Sequence, residues 1–161
     1  MDDTDLTHLR RCVDLAAEAL EAGDAPFGSV LVGADGTVLA EARNRAVTGD
    51  ATRHPELELA QWAAAHLDRD ARAGATVYTS GEHCPMCSAA HGWAGLGRIV
   101  YAGSVAQFRD WMAEMGAAPG PVRQLPVRDI LRDAVVEGPA PQFADELRAL
   151  HRRSRGHTAG D

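Results

Sequence analysis

The chain has 161 residues, the length of one compact domain, and its 45% hydrophobic content is enough for one continuous core. No apolar run approaches the ~20 residues needed to span a bilayer, which excludes an integral helical membrane protein as the expectation. A net charge of −7 repels a phosphate backbone, so nucleic acid is not an expected partner.

Taken in chain order, the first segment predicts a helix. Thr4 or Asp5 can cap it, Leu6, Leu9, Val13, Ala16, Ala17 and Leu20 recur at helical spacing, and Gly23 stops it. Two apolar runs, 27–32 and 37–42, flank the turn Ala34-Asp35-Gly36 and predict a β-hairpin. Residues 54–67 read as a second helix, with Leu57, Ala60, Gln61 and Ala64 near a 3.6-residue period. A short strand at 75–80, a helix at 84–94 ended by Gly95 and Gly97, and a strand at 98–102 follow. Ser104 can cap a helix running to Met115. Beyond a loop at 117–121, residues 122–127 and 134–137 are weak strand candidates, and 143–151 is an amphipathic helix. Arg148, His151, Arg152, Arg153 and Arg155 cluster in the tail, which reads as a solvated, fraying basic terminus. The alternation of strands and helices predicts a mixed sheet covered on both faces.

The N-terminus has no hydrophobic signal core, so a cytoplasmic, reducing location is expected. There, two of the three cysteines in a CxxC point to metal binding or redox chemistry. Two motifs carry that chemistry: His54-Pro55-Glu56 and Cys84-Pro85-Met86-Cys87. Each opens a predicted helix with Pro at the first helical position, where its missing N–H costs nothing. Partial positive charge at a helix entrance favours thiolate over thiol. His54, Cys84 and Cys87 together suit Zn2+, and three protein ligands leave the fourth tetrahedral position open, as in catalytic zinc. Glu56, two residues past His54, can face the same site as a general acid/base. The alternatives are a redox CxxC, a structural zinc completed by His83 or His91, and accidental spacing.

At these residues the chain resembles the cytidine/deoxycytidylate deaminase superfamily, whose signature is H-x-E followed by P-C-x-x-C. The resemblance spans about residues 5–116. It is closest to the guanine deaminase and tRNA adenosine deaminase branch, on the stretch TSGEHCPMCSAAHGWA. One departure is His83, where the family usually has Pro. The resemblance implies an α/β fold, a cytidine deaminase-like three-layer α/β/α sandwich with a mixed five-stranded sheet. The helix after Ser104 implies a fifth strand parallel to the fourth. Residues 1–161 would form one deaminase domain, with 119–151 covering the active site.

The implied activity is hydrolytic deamination of a nucleobase, nucleoside or related amino-heterocycle. Zinc activates water, Glu56 shuttles protons, and ammonia leaves. Guanine or a close analogue leads, with cytosine-type bases and aminotriazines open. A tRNA-editing adenosine deaminase and a non-catalytic zinc module are the other classes. The resemblance further assigns Asn44 to hydrogen bonding with the base, Phe27 to stacking on it, and Trp93 to the pocket lining. Asp110 or Glu114 is a candidate carboxylate contact. His83 reads as a contact to substrate or to the C-terminal segment, or as an exposed loop residue. The resemblance also implies a homodimer, with the zinc-ligand helices near the interface.

Overall fold

The computed structural model describes residues 1–157. Helix α1 (Asp3–Glu21) begins earlier than expected, because Asp2 and Asp5 form a reciprocal capping box. Asp5 is thereby the third helical residue and turns inward, not outward as a cap. It accepts hydrogen bonds from Tyr78 Oη at 2.8 Å and from two Arg98 nitrogens at 2.7 and 2.8 Å.

The sheet contains β1 (Gly28–Val32), β2 (Val38–Arg43), β3 (Thr76–Gly81), β4 (Arg98–Gly103) and β5 (Val136–Glu137), in the order β2-β1-β3-β4-β5. Strand β1 is antiparallel to β2 and β3, whereas β3, β4 and β5 run parallel. The expected strand at 122–127 is absent. Pro121 and Pro126 cannot donate to a ladder, and Pro126 instead precedes the short helix α6 (Val127–Ile130). The other helices are α2 (Pro55–His66), α3 (Arg69–Gly74), α4 (Pro85–Ala94), α5 (Val105–Glu114) and α7 (Ala144–His157).

Strand alternation divides the core into faces. Val30, Val32, Tyr78, Val100 and Ala102 pack with α1, Trp111 of α5 and Leu147 and Leu150 of α7. Leu31, Ala42 and Val77 pack with Leu59 and Ala63 of α2. Gly28 lets α1 lie directly on β1: a Cβ there would come within 2.4 Å of Leu15 Cβ and 2.6 Å of the Cys12 carbonyl oxygen.

The tail differs most from expectation. Residues 144–157 form one helix, in which Leu147, Leu150 and His151 are buried and Arg148 pairs with Glu114 at 2.5 Å. The spacing Phe143, Leu147, Leu150, His151 is an apolar face, and it outweighs the local density of arginines.

The Asp5 cluster supplies a stability prediction. Arg98 holds the Asp5 carboxyl well below the usual carboxylate range. A depressed folded-state pKa stabilises the fold above the unfolded value of ~3.9 and is lost as pH falls through the folded value. Asp5→Asn is therefore expected to cost about 2 kcal/mol at pH 7, with the gap from wild type closing below about pH 4. Urea melts at pH 7 and pH 3 check both the cost and its sign.

Candidate active site

The parallel strands β3 and β4 end side by side at Ser80, Gly81 and Gly103, and a cavity of about 180 Å³ opens over them. Ligand sites in α/β sheets form at such carboxyl ends. His54 and Cys84 are the residues capping α2 and α4, both in extended backbone conformation with Pro next. Cys87 lies one turn into α4 and is buried. Helices α2 and α4 pack against each other, so the two motifs meet.

His54 Nδ1 lies 3.6 Å from both Cys84 Sγ and Cys87 Sγ, and the three ligand atoms lie within 4.8 Å of one another. The edge of a tetrahedron with Zn–S ~2.3 Å and Zn–N ~2.0–2.1 Å is about 3.6 Å, so the donor set fits zinc before any ion is placed. The thiols make the same point. Cys84 is pulled down to about 4, first by a hydrogen bond with Cys87 and then by His54. Cys87 is pushed up by that same bond and by burial. Two adjacent thiols cannot both ionise without a cation between them, and a divalent metal supplies it. Among the described residues this is the one cluster of three or more His, Cys, Asp or Glu donors. Neither His83 nor His91 joins it, so a structural four-ligand site lacks its fourth ligand.

Glu56 sits in the first turn of α2, lines the same cavity, and is 5% exposed. Burial raises its carboxyl pKa. The Thr79 hydroxyl lies 2.8 Å from Glu56 Oε1 and 2.9 Å from the Gly81 carbonyl, and accepts from the Ser29 hydroxyl at 2.9 Å. Its single proton serves one acceptor at a time. Glu82 ties the rim together, since its two carboxylate oxygens accept the backbone N–H of Val105 and of Val127, both at 2.9 Å. Phe27 lines the cavity, its ring against Gly81, where a Cβ would come within 2.8 Å of the ring edge.

Other expected residues lie elsewhere. Asn44 is buried, but it is outside the cavity lining and its Oδ1 accepts from Ala46 N at 2.9 Å, a turn role. Trp93 is 92% exposed and also outside the lining. Six residues beyond Cys87, it stands about 120° round the helix from the buried Cys87. Asp110 is exposed, and Glu114 pairs with Arg148 at the surface, so neither carboxylate reaches the cavity. His83 is neither in the cavity lining nor exposed. It is 1% exposed, both ring nitrogens lack a hydrogen-bond partner, and its ring meets His91 edge-on at 5.3 Å.

Sequence reasoning missed Ser29, Thr79, Glu82 and His151. Ser29 carried a signal, a polar residue inside the otherwise apolar run of β1, whereas Thr79 stands among other polar residues in β3. Glu82 carried none, because its partners are backbone groups far away in sequence.

Residues 2–103 match the family model described as the cytidine and deoxycytidylate deaminase zinc-binding region. A probable cytosine deaminase of Schizosaccharomyces pombe is 32% identical over 154 residues, covering 94% of this chain and 93% of that protein. The guanine deaminase of Bacillus subtilis is 40% identical over 98 residues, covering 60% of this chain and 62% of that protein. Among solved structures, a guanine deaminase from Nitrosomonas europaea superposes with a TM-score of 0.66 at 23% identity, covering 92% of this chain and 83% of that one, a likeness of fold.

Proposed function

Because the chain belongs to the cytidine and deoxycytidylate deaminase family, we propose that this hydrolytic deaminase is zinc-dependent and acts on a free, neutral amino-heterocycle, guanine or a close analogue first. The observation that carries the reading is a tetrahedral His54, Cys84, Cys87 donor set sharing one cavity with buried Glu56.

Zinc bound there would act as a Lewis acid and lower the pKa of a water molecule towards ~7. The protein's own residues do the rest. Phe27 and Phe108 present aromatic faces to a planar ring. Glu56, held in reach of the Thr79 hydroxyl, takes a first proton from water and passes it to the ring nitrogen, then takes the second from the hydroxyl newly bonded to carbon and passes it to the departing amine. The balance is one C–N bond broken, one C–O bond formed, water consumed and ammonia released. Leu147 and Trp111 wall the cavity and limit its water.

Size and charge support a free base. A cavity of about 180 Å³ is below the ~300–1,000 Å³ of pockets for larger ligands, and its lining includes no arginine to hold a phosphate. That lining gives no support to a tRNA-editing role. Cytosine is the second reading, favoured by the Schizosaccharomyces pombe relative, which matches almost the whole chain. An ammonia-release screen of zinc-loaded protein against guanine, guanosine, adenosine, cytosine, cytidine and aminotriazines tests both. Release from guanine or cytosine, far above that from the nucleosides, is the expected result. No release from any of them would overturn the proposal.

The homodimer belongs to the same reading. Met86, Ala89, Ala90 and Trp93 form a stripe along α4, half-buried at its start and open at Trp93. An exposed apolar stripe of this kind suits a second copy of the chain. Sedimentation equilibrium at micromolar concentration is expected to return a dimer for wild type and a monomer for Trp93→Arg. A monomeric wild type would contradict it.

A further inference from the structure

Away from the metal donors, Phe27, Phe108 and Trp111 cluster on one wall of the cavity around a single imidazole. That imidazole is His151 of α7, which lines the cavity, 6% exposed, with its ring centroid 5.1 Å from Phe27, 5.1 Å from Phe108 and 6.0 Å from Trp111. No protein group among the described residues hydrogen-bonds its ring nitrogens. The other polar side chains of that wall are mostly engaged. Ser80 accepts from Gly28 N, Glu82 holds two backbone N–H groups, and Ser104 caps α5 with Gln107. A buried polar group without a protein partner finds one in whatever fills the space beside it.

We propose that His151 is a specificity-determining residue, hydrogen-bonding a polar atom on the edge of a planar, neutral heterocycle that stacks among Phe27, Phe108 and Trp111. The inference rests on the deaminase reading above and adds to it the group that selects the ring. Burial lowers the His151 pKa to about 4, so at neutral pH the imidazole offers one donor and one acceptor and no charge. An uncharged reader suits an uncharged base. An aromatic cage around it excludes the water that would otherwise compete for the same bond.

The test compares wild type, His151→Phe, His151→Leu and His151→Gln, all zinc-loaded. Two readouts are taken with guanine and cytosine: steady-state ammonia release, and Trp111 fluorescence during titration with the same bases. His151→Phe and His151→Leu keep an apolar wall without the hydrogen bond. Both are expected to lower kcat/KM about tenfold through KM, to weaken base binding by a similar factor, and to change the guanine-to-cytosine ratio, with Tm and zinc content unchanged. His151→Gln, which keeps a donor and an acceptor, is expected to restore part of the loss.

Unchanged binding and an unchanged ratio in both apolar variants would overturn the proposal. So would a fall in Tm and zinc content that tracks the activity in both, since that marks a packing role. Wild type that binds neither base overturns it as well. Wild type that binds them but releases no ammonia contradicts the deaminase reading alone, and the binding difference between wild type and variants still decides the role of His151.

Discussion

Glu56→Ala is expected to keep its fold and its zinc and to release ammonia at least ~10²-fold more slowly than wild type. The size follows from the role: a positioned proton shuttle is worth roughly 10²–10⁴ in rate. Retention of the metal follows from the geometry, since Glu56 stands outside the donor set of His54, Cys84 and Cys87. Loss of the Thr79 contact removes one hydrogen bond from a buried carboxylate, and it also removes the carboxylate itself, so no unpaired charge is left behind. Zinc content, Tm and kcat measured on one preparation check all three parts. Near-normal turnover would show that Glu56 is not the shuttle.

Deletion of everything after Gly138 is expected to abolish cooperative folding. The lost segment carries Phe143, Leu147 and Leu150, which are buried against α1, β4 and Trp111. At ~1.5–3 kcal/mol for each large apolar side chain, their burial contributes roughly 5–9 kcal/mol. The whole stability of a domain is ~5–15 kcal/mol. A thermal melt without a sigmoidal transition is the expected result, and a truncated chain with the wild-type Tm would place α7 outside the core. A covering role for residues 119–151 is therefore better tested by single substitutions at the cavity wall than by truncation.

Much of this architecture was legible in the sequence because strong local signals coincided. The hairpin followed from two apolar runs around Asp35-Gly36, and the turn forms with Gly36 at positive φ and Asp35 accepting from Thr37 N. The two zinc-ligand helices followed from Pro at their first positions, and both start there. A fifth strand parallel to the fourth followed from the helix after Ser104. What failed depended on tertiary context. Residues 122–127 had strand-like composition with prolines at the wrong places, whereas the short β5 does fall within the expected 134–137. The apolar face of α7 was legible in the amphipathic pattern of 143–151, but the arginines hid the helix's extension to His157 and the burial of His151. Of the site, the metal donors and Glu56 were visible in two motifs. The second wall of the cavity was not, since Phe108, Trp111, Leu147 and His151 come together only when α5 and α7 fold onto one side of the sheet.

The most direct test of the zinc-dependent deaminase reading is zinc K-edge X-ray absorption on the gently purified wild-type protein. About one Zn2+ per chain is expected, with two sulfurs near ~2.3 Å, one imidazole nitrogen, and one further light atom from water. A second imidazole in the zinc shell, or protein that carries no zinc, would contradict an open catalytic site built from His54, Cys84 and Cys87.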